Sequence, residues 1–327
     1  MRSAGGVIER YRDRLPVGDS TPVVSLGEGA TPLLPAPRLS ERYGVEVWLK
    51  WEGANPTGSF KDRGMTVAVS KALEEGVRAV VCASTGNTAA SAAAYAARAR
   101  LPAVVLQPAG AVALGKLAQT LALGARVLEV RGSFDQALAA ARELADRGTH
   151  ALVNSLNPYR LEGQKTAAFE IVEELGGPPD VLALPYGGGG NTRAYVRGFE
   201  EADAGMPRIL AGEAARRPET VASAIRIAEP AHAAQVDEAL RRSGQVVSLS
   251  DEAILAAWQT LAREEGLFCE PASAAGVAAL ASLQVEPGSR VICVITGHGL
   301  KDPETAARLA PPVIAVDPDP EAIAALT

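Results

Sequence analysis

Cysteine, histidine, methionine and tryptophan each occur only three times in this 327-residue chain, and lysine supplies just six of its 32 basic residues. Each shortage excludes something. Cys82, Cys269 and Cys293 lie far apart in apolar or mixed surroundings and form no CxxC pair. That excludes a disulfide framework and predicts core thiols in a reducing compartment. Three scattered histidines, with no HExxH and no carboxylate cluster, offer a metal no ligand set. No uninterrupted apolar run reaches about 18 residues, so no membrane span is expected. The opening MRSAGGVIERYRD lacks the apolar core of a signal peptide. A net charge of −6 with no Lys/Arg cluster argues against a nucleic-acid partner. These absences predict a soluble, cytoplasmic protein whose partner is a small molecule. The scarcity of lysine also narrows the amine nucleophiles to residues 50, 61, 71, 116, 165 and 301.

What is present is an apolar, well-patterned chain, 47% hydrophobic and 21% charged. Short apolar runs alternate with helix-period segments, the signature of βαβ units. RAVVCAS (78–84), PAVVLQP (102–108), ARVLEV (125–130) and ALVNS (151–155) read as strands of one set. DVLALPY (180–186), PRILAGE (207–213) and SRVICVIT (289–296) read as strands of a second. Helices are expected over 87–99, 163–176 and 250–266, and between Ser133, which opens a capping box with Gln136, and Gly148. The prediction is an α/β fold in two lobes, with mostly parallel twisted sheets flanked by helices. Residues 214–245 carry no clear pattern.

Ligands in such folds sit at the carboxyl ends of strands, and three strand ends carry unusual loops. After strand 78–84 come Ser84, Thr85, Gly86, Asn87 and Thr88, where hydroxyls, an amide and backbone N–H groups gather at a helix N-terminus suited to a carboxylate or phosphate. An ordinary capped turn is the plain alternative. After strand 180–186 come Gly187, Gly188, Gly189, Gly190 and Asn191, whose backbone N–H groups can converge on an anion without Cβ obstruction. After strand 289–296, Thr296 brings a hydroxyl to a possible heterocycle. GAVALGKL (110–117) approaches a P-loop but ends in Leu, so the hydroxyl that would hold Mg²⁺ is missing.

Lys61, in NPTGSFKDRGM (55–65), stands near the positive end of an expected helix, where a cation is disfavoured. Gly58 supplies a turn, and Ser59 with Asp62 reads as a capping pair. An amine placed there loses its proton more readily, as Schiff-base chemistry requires. Beside a phosphate cradle and a hydroxyl for a ring nitrogen, it points to pyridoxal phosphate.

These motifs carry a resemblance. PTGSFKDRG with STGNTAAS, together with GEGATPL (27–33), ALVNSLNPYRLEGQKTAAFEI (151–171), REEGLFCEPASAA (263–275) and TGHGLKDP (296–303), resembles the threonine synthase family. That family belongs to the pyridoxal-phosphate enzymes whose fold is like the tryptophan synthase β subunit (fold type II). The resemblance implies a large cofactor domain (1–63 with 155–327), a small mobile domain (64–154) and a homodimer. It implies that Lys61 is the Schiff-base lysine, with Phe60, Asn87 (to the cofactor's 3-hydroxyl), Gly187 to Asn191 (to its phosphate) and Thr296 (to its ring nitrogen) around the cofactor. Ser84, Thr85, Gly86, Thr88, Lys116, Asn154, Ser155 and Arg160 would bind the substrate. The implied reaction converts O-phospho-L-homoserine and water to L-threonine and phosphate. Three stretches depart from the family pattern, one of them the run after Glu213, which is short and lacks a Gly/Ala/Pro-rich loop before RPETVASAIRI. The cradle has four glycines where Gly-Asn-Ala-Gly is usual, and AEPAH (228–232) stands where Gly-Asn-Pro-Ala is expected. Four glycines are more like the dehydratase and cysteine synthase branches. A serine/threonine dehydratase or a synthase of altered substrate is therefore the alternative expectation, and a cofactor-binding paralogue without turnover the remote one.

Overall fold

In the computed structural model residues 5–110 and 114–324 are described, without the side chains of 114–116, 321 and 322. Apolar runs fold as strands β1 (Leu33–Pro35), β2 (Glu46–Trp51), β3 (Ala79–Ala83), β4 (Ala103–Pro108), β5 (Arg126–Val130), β6 (His150–Leu152), β7 (Val181–Pro185), β8 (Arg208–Ala214), β9 (Gly244–Leu249) and β10 (Arg290–Ile295). The first seven α-helices are α1 (Val7–Tyr11), α2 (Pro37–Tyr43), α3 (Lys61–Glu74), α4 (Asn87–Ala99), α5 (Leu114–Ala122), α6 (Phe134–Asp146) and α7 (Pro158–Leu175). The rest are α8 (Gly190–Ala202), α9 (Ala233–Ser243), α10 (Asp251–Arg263), α11 (Ala275–Ala278), α12 (Pro303–Leu309) and α13 (Pro320–Ala324).

Among the described residues the strands form two sheets. One has the order β1-β2-β10-β7-β8-β9, parallel except for β1 against β2. The other, β5-β4-β3-β6, is parallel throughout and is built from residues 79–152. Parallel strands between helices are apolar on both faces. In β10, Val291, Cys293 and Ile295 pack into one core with α10 and α11, while Ile292 and Val294 face a second core with α7 and α8. The three cysteines are free and buried, and burial pushes the Cys82 and Cys293 thiols up to about 12. No helix among the described residues is long and apolar enough to cross a membrane.

The predicted strands and helices are found within a few residues of their expected ends. The capping box of Ser133 and Gln136 is present in both directions, and Ser250 caps α10. Strand 151–155 is shorter than expected, because Asn154 leaves the ladder to bind Ala83. Residues 214–245 hold α9 and the start of β9. The expected cap of α3 is not the one observed. Its N-cap is Phe60, without a side-chain bond, and the buried Ser59 hydroxyl has no partner. Asp62 reaches backward instead, accepting from the Thr57 amide and hydroxyl at 2.6 Å each and from the Ser91 hydroxyl at 2.6 Å. The aspartate therefore ties the turn before Lys61 to α4, because three donors satisfy a buried carboxylate better than one cap would.

Helices α3 and α7 cross at glycines. A Cβ on Gly163 would lie 1.8 Å from the Arg63 carbonyl oxygen, and one on Gly64 would lie 2.5 Å from that of Arg160. Around this crossing runs a buried ionic network. Arg63 donates to Glu52 (Nε to Oε2, 2.7 Å) and to Glu170 (Nη2 to Oε2, 2.7 Å), and Lys50 donates to Glu170 at 2.7 Å. It holds the start of α3, and with it Lys61, against the large sheet.

Candidate active site

Lys61 is the first residue of α3, and the turn before it is pinned to the end of β10. Gly58 takes φ +85°, a conformation that favours glycine. Phe60 donates its amide to the Thr296 carbonyl at 3.0 Å, and His298 donates to the Gly58 carbonyl at 2.9 Å. Lys61 is therefore fixed beside Thr296, whose hydroxyl lies 2.9 Å from that of Ser273. The Lys61 ammonium lies 4.3 Å from the centre of the Phe60 ring.

The lysine side chain keeps some solvent access, yet enough protein surrounds its amine that burial pushes it down to about 7. The Arg160 guanidinium acts in the same direction, and the Glu270 carboxylate opposes both. An amine at about 7 is neutral for a large part of the time near neutral pH, as a nucleophile or base must be. The misfit read from helix polarity thus has a larger cause in burial and in Arg160.

Glu270 is the residue that sequence reasoning missed. It lies in the motif CEPASAA but pairs with nothing nearby in the chain, so its only sequence signal was its place beside that motif. It is 4% exposed and accepts from Asn87 Nδ2 at 2.9 and 3.1 Å. Burial pushes its carboxyl up to about 7, against the pull of Lys301, Asn87 and Lys61. A Cβ at Gly297 would lie 2.4 Å from its Oε1, so the glycine leaves room for the carboxylate.

Two helix N-termini face the site without side-chain caps. Helix α4 begins after Gly86, and helix α8 begins after Gly189 at φ +83°. Neither Thr85 nor Asn87 caps α4, which removes the ordinary-turn reading of that loop. Ser84 accepts from the Gly86 amide at 3.2 Å, and Ser84, Thr85, Gly86, Asn87 and Thr88 all retain solvent access. Free amides at a helix start, with the dipole behind them, bind anions. Next to the Gly187–Gly190 loop, the Asn191 amide nitrogen and Thr192 hydroxyl are buried without a partner. Orphaned donors beside a glycine cradle fit a bound phosphate, and with Lys61, Asn87 and Thr296 the set fits pyridoxal phosphate.

On the substrate side, Asn154 gives both its amide atoms to Ala83, as donor at 2.8 Å and acceptor at 2.9 Å. It holds the start of the 84–88 loop. Arg160 is fully buried, donates Nη1 to the Val153 carbonyl at 2.8 Å, and leaves Nε and Nη2 without partners. Burial pushes this guanidinium down to about 10. Unpaired buried donors are costly, and an anion would satisfy them. Ser155 is partly exposed, and its carbonyl lies 3.1 Å from His232 Nε2. The Lys116 side chain lies outside the described residues.

This lysine, glycine cradle and hydroxyl on two parallel α/β lobes define the class, and the chain belongs to the pyridoxal-phosphate dependent enzyme family, whose model matches residues 24–297. The fold is that of solved relatives at low identity. Cysteine synthase from Entamoeba histolytica superposes with a TM-score of 0.77 at 18% identity, covering 88% of this chain and 90% of that one. Maize serine racemase gives 0.75 at 20%, covering 94% and 97%. Sequence relatives are more specific. The chain is 51% identical over 321 residues to threonine synthase of Halalkalibacterium halodurans, covering 92% of this chain and 91% of that protein. It is 52% identical over 340 residues to threonine synthase of Mycobacterium tuberculosis, covering 97% and 94%.

Proposed function

We propose that the protein is a threonine synthase, which converts O-phospho-L-homoserine and water to L-threonine and phosphate with pyridoxal phosphate. The observation that carries the site reading is the half-neutral amine of Lys61, set between Glu270 and Arg160 beside two uncapped helix N-termini. Identity of about half to curated threonine synthases over nearly the whole chain supports the substrate assignment.

The cofactor supplies an electron sink for negative charge developing on the substrate carbons. Lys61 holds and moves the protons. Its amine takes the proton at Cα and serves the proton loss at Cβ, and phosphate leaves from Cγ. Protons return to Cγ and finally to Cα, while water adds its hydroxyl at Cβ. One flexible amine can serve several of these steps, so no second acid–base pair is required. Arg160 and the start of α4 hold the departing phosphate, while the 84–88 loop holds the carboxylate. Asn191, Thr192 and the amides of α8 hold the cofactor phosphate. The division into a cofactor domain (1–63, 155–327) and a small domain closing over the substrate (64–154) belongs to the same proposal. So do a homodimer and a cytoplasmic location, the former checked by sedimentation.

The test is the product. The purified holoenzyme is expected to release phosphate and threonine in equal amounts from O-phosphohomoserine. Ketoacid from serine or threonine, with no phosphate release, would replace this reading by a dehydratase. Bound cofactor without turnover of any of the three would leave a binding paralogue.

A further inference from the structure

The four-glycine loop and the AEPAH stretch are two sides of one contact. A Cβ added to each glycine would meet the same segment. At Gly187 it would lie 3.1 Å from Ile225 Cα, and at Gly188 it would lie 3.4 Å from Ile227 Cδ1. At Gly189 it would lie 3.1 Å from His232 Cβ and 3.0 Å from Val236 Cγ2, and at Gly190 it would lie 3.5 Å from His232 Cδ2. Gly187 and Gly189 therefore leave space that Ile225 and His232 take up, while Gly188 and Gly190 stand at ordinary contact distance from Ile227 and His232; His232 is 4% exposed.

The amide and both ring nitrogens of His232 are engaged. Its amide donates to the Gly188 carbonyl at 3.2 Å. Its Nε2 lies 3.1 Å from the Ser155 carbonyl, and its Nδ1 lies 3.4 Å from Arg193 Nη1. A carbonyl only accepts and a guanidinium only donates, so these partners select one neutral tautomer, with the proton on Nε2. Burial and Arg193 both disfavour the charged ring, and the bond to Ser155 opposes them.

We infer that His232 is a positioning residue for substrate specificity, pinning the Ser155 loop to the glycine cradle in the place a cradle side chain would fill. The pin runs from Gly188 on the cofactor side, through the imidazole, to Ser155, five residues before Arg160. It fixes the distance between the cradle and the groups that hold the substrate's departing phosphate. The chemistry recognised is a phosphomonoester on an amino-acid side chain, so the inference rests on the reading above.

The test uses the holoenzyme and its apo form, with His232→Ala and His232→Asn. The Asn amide can still donate toward the Ser155 carbonyl. With His232→Ala, KM for O-phosphohomoserine is expected to rise about tenfold, with kcat within about twofold and cofactor content unchanged. Amide hydrogen exchange of residues 154–160 is expected to quicken in the apo and the loaded protein alike. His232→Asn is expected to restore most of both. Unchanged KM and exchange in His232→Ala would overturn the pin. Equal losses of cofactor, kcat and melting temperature, unrescued by Asn, would also overturn it by making the residue merely structural. If the native protein makes no threonine, the substrate reading fails, and the exchange measurement still decides the pin by itself.

Discussion

Asn87 donates its Nδ2 to both oxygens of Glu270, at 2.9 and 3.1 Å. In its ionised form this carboxylate only accepts, so there it selects the nitrogen of the amide and fixes which way Asn87 faces. The same carboxylate raises the affinity of Lys61 for its proton, while Arg160 lowers it. Glu270→Gln is therefore expected to shift the titration of Lys61 to lower pH, and Arg160→Leu to shift it to higher pH, each by roughly one pH unit. The rate of Lys61 acylation against pH in the apoprotein, read by mass spectrometry, checks both. Shifts of the same sign would show that neither group faces the amine.

The same two groups predict an unusual stability profile for the apoprotein. Glu270 is raised from 4.5 to about 7, so its folded form holds a proton that the unfolded chain has lost, and stability falls as pH rises from 4.5 to about 7. Lys61 is lowered from 10.5 to about 7, so the unfolded chain holds the extra proton, and stability rises from about 7 to 10.5. Denaturation midpoints across this range are expected to show a smaller falling arm with Glu270→Gln, the raised Asp62 keeping its lower part, and a smaller rising arm with Lys61→Ala, the lowered Lys50 and Lys301 keeping the rest.

Lys61→Ala removes the group proposed to move the protons of the reaction. Turnover is expected to fall by about 10²–10⁴-fold or more, with the fold retained, because the Lys61 amine makes no ion pair among the described residues. Circular dichroism and phosphate release together check this. Turnover within tenfold of native would transfer the proton role to another group.

Much of this was legible from the chain. Strands with both faces buried read as plain apolar runs, the loops at their carboxyl ends marked Asn87, the glycine cradle and Thr296, and the start of an expected helix marked Lys61. What was not legible depends on contacts distant in sequence. Glu270 meets Asn87 across 183 positions and Glu170 meets Arg63 across 107, so neither has a local pattern. Ser59 and Asp62 had the spacing of a capping box, but Thr57 and Ser91 offered the aspartate better donors. Residues 214–245 were unreadable because their order comes from packing on the cradle and from β9 pairing with β8.

Glu170 anchors the ionic network behind Lys61. Burial pushes its carboxyl up, yet Arg63 and Lys50 together outweigh that and hold it well below the usual carboxylate range. Its contribution is present above about 4.5 and is lost as pH falls toward its depressed folded value. Glu170→Ala takes the carboxylate from Lys50 and leaves Arg63 with Glu52 as its remaining carboxylate, and is expected to cost about 3–5 kcal/mol. Chemical denaturation at neutral pH measures it, and a loss below about 1 kcal/mol would show that the network does not hold the fold.

Gly163 tests the link between that packing and the chemistry. Its Cβ in Gly163→Ala would stand 1.8 Å from the Arg63 carbonyl oxygen and 2.8 Å from Gly64 Cα, so backbone must move and no side chain can yield. Overpacking of this kind costs about 1–3 kcal/mol, a drop in melting temperature of roughly 1.5–4.5 °C for a chain of this length. The displaced segment is the first turn of α3, which carries Lys61 two residues before Arg63. The lysine therefore moves with it relative to Thr296 and Glu270. Gly163→Ala is expected to lower kcat at temperatures where the variant is fully folded, with Lys61 titrating nearer its ordinary value as burial relaxes. A variant that melts earlier but keeps native turnover and a native Lys61 titration would show that the helix crossing sets stability alone.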